Sequence, residues 1–159
     1  MLTSSQLQTL AAHIRANTDP VIVAALPLRN DGTIAEWYNV DSSFVVWRTR
    51  LTHEQARAAI IGGDGLAQLD NLTAGKRDSL FWTLSGETDP SNAAQRTAIN
   101  DLCGTQNLLK AAILAAQKRL ATRCENVFTT GTGTSQTPGN LDFEGLVLAN
   151  DISTALNNY

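Results

Sequence analysis

Few side chains in this sequence have the types and spacing that chemistry needs. His13 and His53 are the only histidines, and Cys103 and Cys124 the only cysteines. The cysteines stand 21 positions apart with no Cys-x-x-Cys pattern. Neither histidine has a Cys, Asp or Glu at a ligand spacing such as His-Glu-x-x-His. The expectation is two reduced thiols at helix positions and two surface or boundary histidines. A Cys–His nucleophile pair would require the fold to bring these residues together.

Two glycine-rich stretches invite a ligand reading and do not sustain it. Gly131-Thr132-Gly133 has the composition of a phosphate loop, but a cradle needs a strand before it, a helix after it and usually a Lys. Here the pattern predicts a helix before, a strand after and no Lys, so a flexible linker is expected. Gly62-Gly63-Asp64-Gly65 lacks the alternating oxygen ligands and closing Glu of a calcium loop. Asp64 and Asp70 are left as isolated oxygen donors. The turn at Gly104 joins two helical patterns, and a helix-turn-helix reader would present Gln106, Asn107, Lys110 and Gln117 from the second. Net charge is −3 and no basic run exists, so phosphate anchors are sparse. No catalytic, cofactor or metal site is expected, and no enzyme.

The elements that would position these residues are mostly helical. Capping boxes begin at Thr3-x-x-Gln6, Thr33-x-x-Glu36 and Thr52-x-x-Gln55. The first opens a helix with Leu7, Leu10, Ala11 and Ile14 on one face, ending near Asn17. Asp19-Pro20 starts a second, short helix through the VIVAAL run. Phe44 to Trp47 is the best strand of the first half and has no obvious neighbour.

The centre of the chain reads as three helices from Thr73 to Phe128, punctuated by Gly86 and Gly104. Gly86 fits a left-handed residue past a helix end. Asp89 or Ser91, with Pro90, starts the second of the three. The third is the longest, with Leu109, Ala112, Ile113, Ala116, Leu120, Cys124 and Val127 in one stripe. Lys118, Arg119 and Arg123 lie in its C-terminal half, where the helix dipole favours cations. Trp37, Tyr38, Trp47, Phe81 and Trp82 are expected in the core, with one or two serving an interface.

After Phe128 the composition changes. Thr129 to Asn140 has no charge and no large side chain, so it is expected not to pack a core. Leu141 to Ala149 alternates as a half-buried strand, and a final short helix carries Ile152, Ala155 and Leu156. A strand needs a partner edge. Either this one pairs with Phe44–Trp47 in the same chain, or it pairs with another subunit.

The expected architecture is mainly α: a helical body over 1–128, then a linker, strand and short helix over 129–159 acting as an arm, in one domain overall. Charged residues are 17% of the chain and apolar ones 43%. Uncharged polar groups fill the difference. They cost less to desolvate than ions, which suits permanent contacts. No stretch approaches the length of a membrane span and no signal peptide is expected.

Several strings together carry a family resemblance: MLTSSQLQTLAAHIRANTDP, AEWYN, FVVWRT, LTAGKRD, ATRCENVFTTGTGT, LDFEG and NDISTALN. In this order, over nearly the whole chain, they resemble a family of small proteins encoded among the virion morphogenesis genes of tailed bacteriophages. The resemblance implies a structural subunit of the virion, assembled in the host bacterial cytoplasm. A ring-forming head-to-tail neck or adaptor component is implied first; a tail completion, collar or capsid accessory protein is the alternative. The partners implied are copies of itself in a ring and other neck, portal or tail proteins, with no membrane and no sequence-specific nucleic acid. A small helix-turn-helix DNA-binding protein is the alternative from another class. The partner-binding residues expected on the arm are Leu141, Phe143, Val147, Leu148, Ile152 and Tyr159.

Overall fold

The computed structural model describes residues 2–159. In chain order the first elements are α1 (Ser4–Ala16), α2 (Pro20–Ala25), α3 (Asp31–Tyr38), β1 (Asp41–Trp47), α4 (His53–Gly62), α5 (Leu66–Leu69) and α6 (Ala74–Ser85). Then come α7 (Ala93–Cys103), α8 (Asn107–Ala116), β2 (Lys118–Thr122), α9 (Arg123–Val127), β3 (Thr129–Thr130), β4 (Asn140–Leu141) and α10 (Ala149–Asn158). The fold is mainly α with a minor β part, as the residue patterns predict. Its division differs from the expected body and arm. The chain up to Val46 folds with Leu120–Tyr159 as one unit, and Trp47–Arg119 forms the other.

In the first unit, α1 begins as the sequence predicts. The Thr3 hydroxyl accepts from the Gln6 N–H at 3.2 Å, and the Gln6 side chain accepts from the Thr3 N–H at 2.9 Å. Leu10, Ala11 and Ile14 are buried, and α1 packs on α10. Asp19 caps α2 with Pro20 at its first position, so helix wins over strand in the VIVAAL run. The α3 start differs. Asn30, not Thr33, is its cap, accepting from the Thr33 N–H at 3.2 Å. A side chain one turn earlier already satisfies a free N–H at the helix start, so the helix begins before Thr33.

Strand β1 is longer than expected and has neighbours on both edges. On one edge it pairs with β2. There the Ser42 hydroxyl donates to the Ala121 carbonyl at 2.8 Å and the Arg123 N–H donates to the Val40 carbonyl at 2.9 Å. On the other edge stand two glycines of the stretch expected to be a free linker. The Val45 N–H donates to the Gly133 carbonyl at 2.8 Å, and the Gly139 N–H donates to the Val45 carbonyl at 2.9 Å.

Both glycines lie directly on the Phe44 ring. A Cβ built on Gly133 would fall 2.3 Å from it, and one on Gly139 2.6 Å. Gly133 also holds φ +66. The linker reading fails because absent side chains are what this packing requires: the ring of β1 is covered by bare backbone. Thr129 to Leu141 closes on itself through β3 and β4, with Thr129 opposite Leu141 and Thr130 opposite Asn140.

The terminal strand expected over 141–149 shrinks to Asn140–Leu141 and pairs inside the chain. Side chains hold the backbone beyond it. Asn39 donates to the Val147 carbonyl and accepts from the Val147 N–H, both at 2.9 Å. The buried Glu125 accepts from the Gly145 N–H at 3.1 Å and from the Thr122 N–H at 2.9 Å. These bonds stand in for a ladder partner. Val147 and Ile152 then join Leu10, Ile14, Ile34 and Tyr38 in the core.

The long helix expected to reach Phe128 is broken. α8 ends at Ala116, and Gln117 is buried. The Arg48 N–H donates to the Gln117 carbonyl at 2.9 Å, and the Arg48 Nε donates to the Ala116 carbonyl at 3.0 Å. The chain then becomes β2. Thr122 and Glu125 form a capping box that starts a fresh helix, α9. Lys118 and Arg119 therefore stand on a strand, and Leu120 is exposed rather than in the stripe.

The second unit is helical. Thr52 caps α4 with the predicted box and Thr73 caps α6. The loop after Gly65 contains α5. Gly86 is extended, at φ −100 and ψ −166, not left-handed. It leads into a short pairing in which Leu51 and Thr88 exchange N–H to carbonyl bonds at 2.9 and 3.0 Å. Asn92 caps α7, while Asp89 is spent on a local turn with Ser91. Gly104 does hold a positive φ of +59. The core gathers Leu51, Ile60, Leu80, Ile99, Leu109 and Ile113. Tyr38 is buried as expected, but Phe81 and Trp82 are 62% and 75% exposed.

Two measurements check these contacts. Gly133→Ala should lower stability by about 2–4 kcal/mol in urea denaturation, the sum of overpacking on Phe44 and left-handed strain. Gly75→Ala, where nothing lies within 4 Å, should instead raise it by about 0.5–1 kcal/mol. In hydrogen exchange on the monomer, the Val147 amide should be at least about tenfold slower than Leu146. Asn39→Ala should abolish that difference, and free exchange of Val147 in the wild-type chain would contradict the clamp.

Candidate functional site

The residues with chemical potential are placed in structural roles. His13 Nδ1 lies 2.7 Å from the Tyr38 hydroxyl, with the rings edge to face. Partial burial lowers the His13 pKa, and burial pushes Tyr38 up to about 12. His53 Nδ1 sits 2.9 Å from the Leu84 carbonyl and its ring meets the edge of Phe81.

Cys124 is fully buried in the first unit's core, and its thiol is pushed up to about 12, first by burial and then by the negative charges of Glu125 and Asp151. A nucleophilic thiolate needs the opposite surroundings. Cys103 is buried in the second unit, and burial raises its pKa against the smaller opposing pull of Lys110 and Lys76. Both are free thiols. Asp70 pairs with Arg77 at 3.6 Å, while Asp64 is exposed at φ 57. Among the described residues, no group of three or more His, Cys, Asp or Glu could hold a metal ion.

The expected partner-binding residues do not form one surface. Val147 and Ile152 are buried in their own unit. Leu141 is half-buried in β4, and Phe143 is half-buried with its ring 5.7 Å from Phe128, edge to face. Leu148 and Tyr159 alone of the set are exposed, at 64% and 45%. The four helix-turn-helix readers do not form a surface either. Gln117 is buried at the helix end, and Asn107 and Lys110 face a recess against α7.

Two recesses stand out, both in the second unit. One is a groove of about 620 Å³ between α4 and α6, with Leu66 of α5 on its border. The His53–Leu84 contact puts the start of α4 beside the end of α6, so the two walls run antiparallel. Ile60 and Leu80 form its floor; Ile61, Leu66 and Phe81 stand exposed at 53%, 55% and 62%. Sequence reasoning places Phe81 in the core because Leu80, Phe81 and Leu84 share one helical face. The missing signal is which flank of α6 the neighbouring helices cover.

The other recess, of about 490 Å³, lies between facing positions of α7 and α8. Arg96 and Asn100 are one turn apart on α7; Asn107 and Lys110 are one turn apart on α8. Trp47 borders it, with the Arg96 guanidinium 4.1 Å and the Lys118 ammonium 5.5 Å from its ring centroid. Partial burial lowers the pKa of both cations.

The thiol environments give a direct expectation. At pH 8 a disulfide reagent such as DTNB should modify neither cysteine on the timescale of free thiol reaction, and both should react once urea unfolds the chain. Fast native reaction of Cys124 would contradict the burial described.

Comparison of the chain with protein-family models, with curated proteins and with solved structures returns no match.

Proposed function

We propose that this chain is a non-enzymatic structural subunit of a tailed-phage virion, a ring-forming head-to-tail connector that contacts copies of itself and neighbouring neck, portal or tail proteins. The resemblance of its sequence strings to virion morphogenesis proteins supplies the class. The observation that carries the reading further is the apolar groove between α4 and α6. An isolated chain that leaves Phe81, Ile61 and Leu66 around such a groove, with Trp82 also exposed on α6, bears a surface suited to permanent cover by protein. A ring needs two different faces that meet head to tail and close on rotation. The groove supplies one such face; the exposed Leu146 and Leu148 of the first unit are candidates for another. The thiols favour this reading over an enzyme, because their burial raises their pKa and suppresses the reactive thiolate.

The test is incorporation. A tagged chain expressed while particles form should co-purify with them on a density gradient at a fixed copy number. Phe81→Asp should exclude it, since one charge in the groove is left without solvent when a partner covers it. Its circular dichroism and Tm should stay unchanged, because Phe81 is already largely in water. A chain absent from particles, or a Phe81→Asp chain incorporated at the wild-type level, counts against the proposal.

A further inference from the structure

The recess between α7 and α8 holds more polar capacity than the chain uses. The Arg96 side chain is fixed by one of its nitrogens. Nη1 donates to the Pro90 carbonyl and, at 2.8 Å, to the Ser91 carbonyl. Its flat face lies on Trp47. That leaves Nε and Nη2, the two parallel donors of the guanidinium fork, with no acceptor among the described residues. The Lys110 ammonium likewise forms no ion pair or hydrogen bond among them, and the carboxamides of Asn100 and Asn107 form none. Asp89 is the carboxylate felt by Arg96, yet it forms no ion pair with it and is engaged by Ser91. No carboxylate lines the recess, whereas Ile99, Cys103 and Ile113 give it an apolar floor.

From this juxtaposition we infer a binding site for an oxyanion, a phosphate or a carboxylate, carried on a compact apolar or aromatic body. Arg96 is already oriented by the Pro90 and Ser91 carbonyls and by Trp47, so little rotamer freedom remains to be lost on binding. Its Nε/Nη2 edge matches the two oxygens of a carboxylate or phosphate. Lys110 adds a second charge from the opposite helix, and the two carboxamides supply donors that fix orientation. The volume suits a small ligand whose body rests on the Ile99 and Ile113 side. The anion has two possible sources, a free small molecule or an acidic side chain next to an aromatic one on a partner protein, and the chemistry of the site is the same for both. The site stands on other residues than the apolar groove and holds whether or not that groove assembles a ring.

The experiment is an NMR titration of the full chain, reading the Arg96 Nε–H and the side-chain amides of Asn100 and Asn107. The probes are phenyl phosphate, a capped pentapeptide with adjacent Asp and Phe, and benzyl alcohol as the neutral control. Saturable shifts at all three groups with phenyl phosphate support a free ligand; saturation by the peptide alone supports a partner-borne carboxylate. In either case Lys110→Gln should raise Kd at least about tenfold, and raising salt should weaken binding. Arg96→Gln should abolish binding, but it also removes the brace on Pro90 and Ser91, so Lys110→Gln is the decisive variant. Absence of saturation by either anionic probe up to about 10 mM, at the weak end of measurable affinity, overturns the inference. So does benzyl alcohol binding as tightly as phenyl phosphate, or an unchanged Kd in Lys110→Gln.

Discussion

The contact on which most of the first unit depends is the covering of Phe44 by two glycines. β1 offers hydrogen-bonding groups on both edges, and a lone strand in a helical protein has no sheet to join. The chain meets this demand from two distant stretches. β2 takes one edge, and the backbone of Gly133 and Gly139 takes the other while sitting within van der Waals reach of the Phe44 ring. Each solution has a consequence elsewhere. Supplying β2 interrupts what would be a continuous helix at Gln117. Supplying the glycine edge brings residues 129–141 back as a closed loop, which delivers Phe143, Val147 and α10 to the core beside α1 and α3.

The fold is legible in the sequence where its signals are local. The caps at Thr3, Asp19, Thr52 and Thr73 are local, and the helices they start are where the residues predict. The break after Ala116 is legible in part: Thr122-x-x-Glu125 is a capping box in the middle of an apparent helix, and the solitary strand at Phe44 needs a partner. Apolar spacing outweighs both, because Leu109 to Val127 fits a helical stripe whether or not the helix continues. The glycine stretch misleads for a deeper reason. Composition says that TTGTGTSQTPGN has nothing to bury; it does not say that its backbone can be what covers an aromatic ring. The candidate recess is legible only as types. Asn107 and Lys110 stand out as helix-surface polar groups, but Arg96 and Trp47 join them through a turn at Gly104 and a contact that no spacing encodes.

Charge placement separates the surroundings of the two buried thiols. Around Cys124 the neighbours are Glu125 and Asp151, and Glu125 is itself occupied by the Thr122 and Gly145 N–H groups. That cluster is internally satisfied and holds a thiol inert. Around Cys103 the neighbouring charges are lysines, and one of them, Lys110, faces a recess with a second cation and no carboxylate. A set of donors without acceptors is asymmetric in energy. These donors are partly open to water, so leaving them unmade costs little, whereas a charge-assisted pair with an anion in the recess is among the stronger polar contacts. Function is therefore better sought where polar groups are left over than where they are matched.

The same energetics bear on how this chain could assemble. An arm that leaves its own unit to reach a neighbour must first give up what holds it. Detaching the segment beyond Asp142 would expose Val147, Ile152 and Leu156, each worth about 1.5–3 kcal/mol when fully buried. It would also break the paired bonds from Asn39 and the bond from Gly145 to Glu125, at about 1 kcal/mol apiece. The total of roughly 8–12 kcal/mol is comparable with the whole stability of a domain, about 5–15 kcal/mol. A neighbour could offset that only by repeating the same contacts, as in an exchange of identical segments between copies. Surfaces already in water carry no such penalty. Phe81, Trp82, Ile61 and Leu66 need no rearrangement to be covered, and the apolar area they withdraw from water counts in full toward association. Covering the groove would therefore cost less than releasing the terminal segment, so any association of this chain would favour the surfaces already exposed.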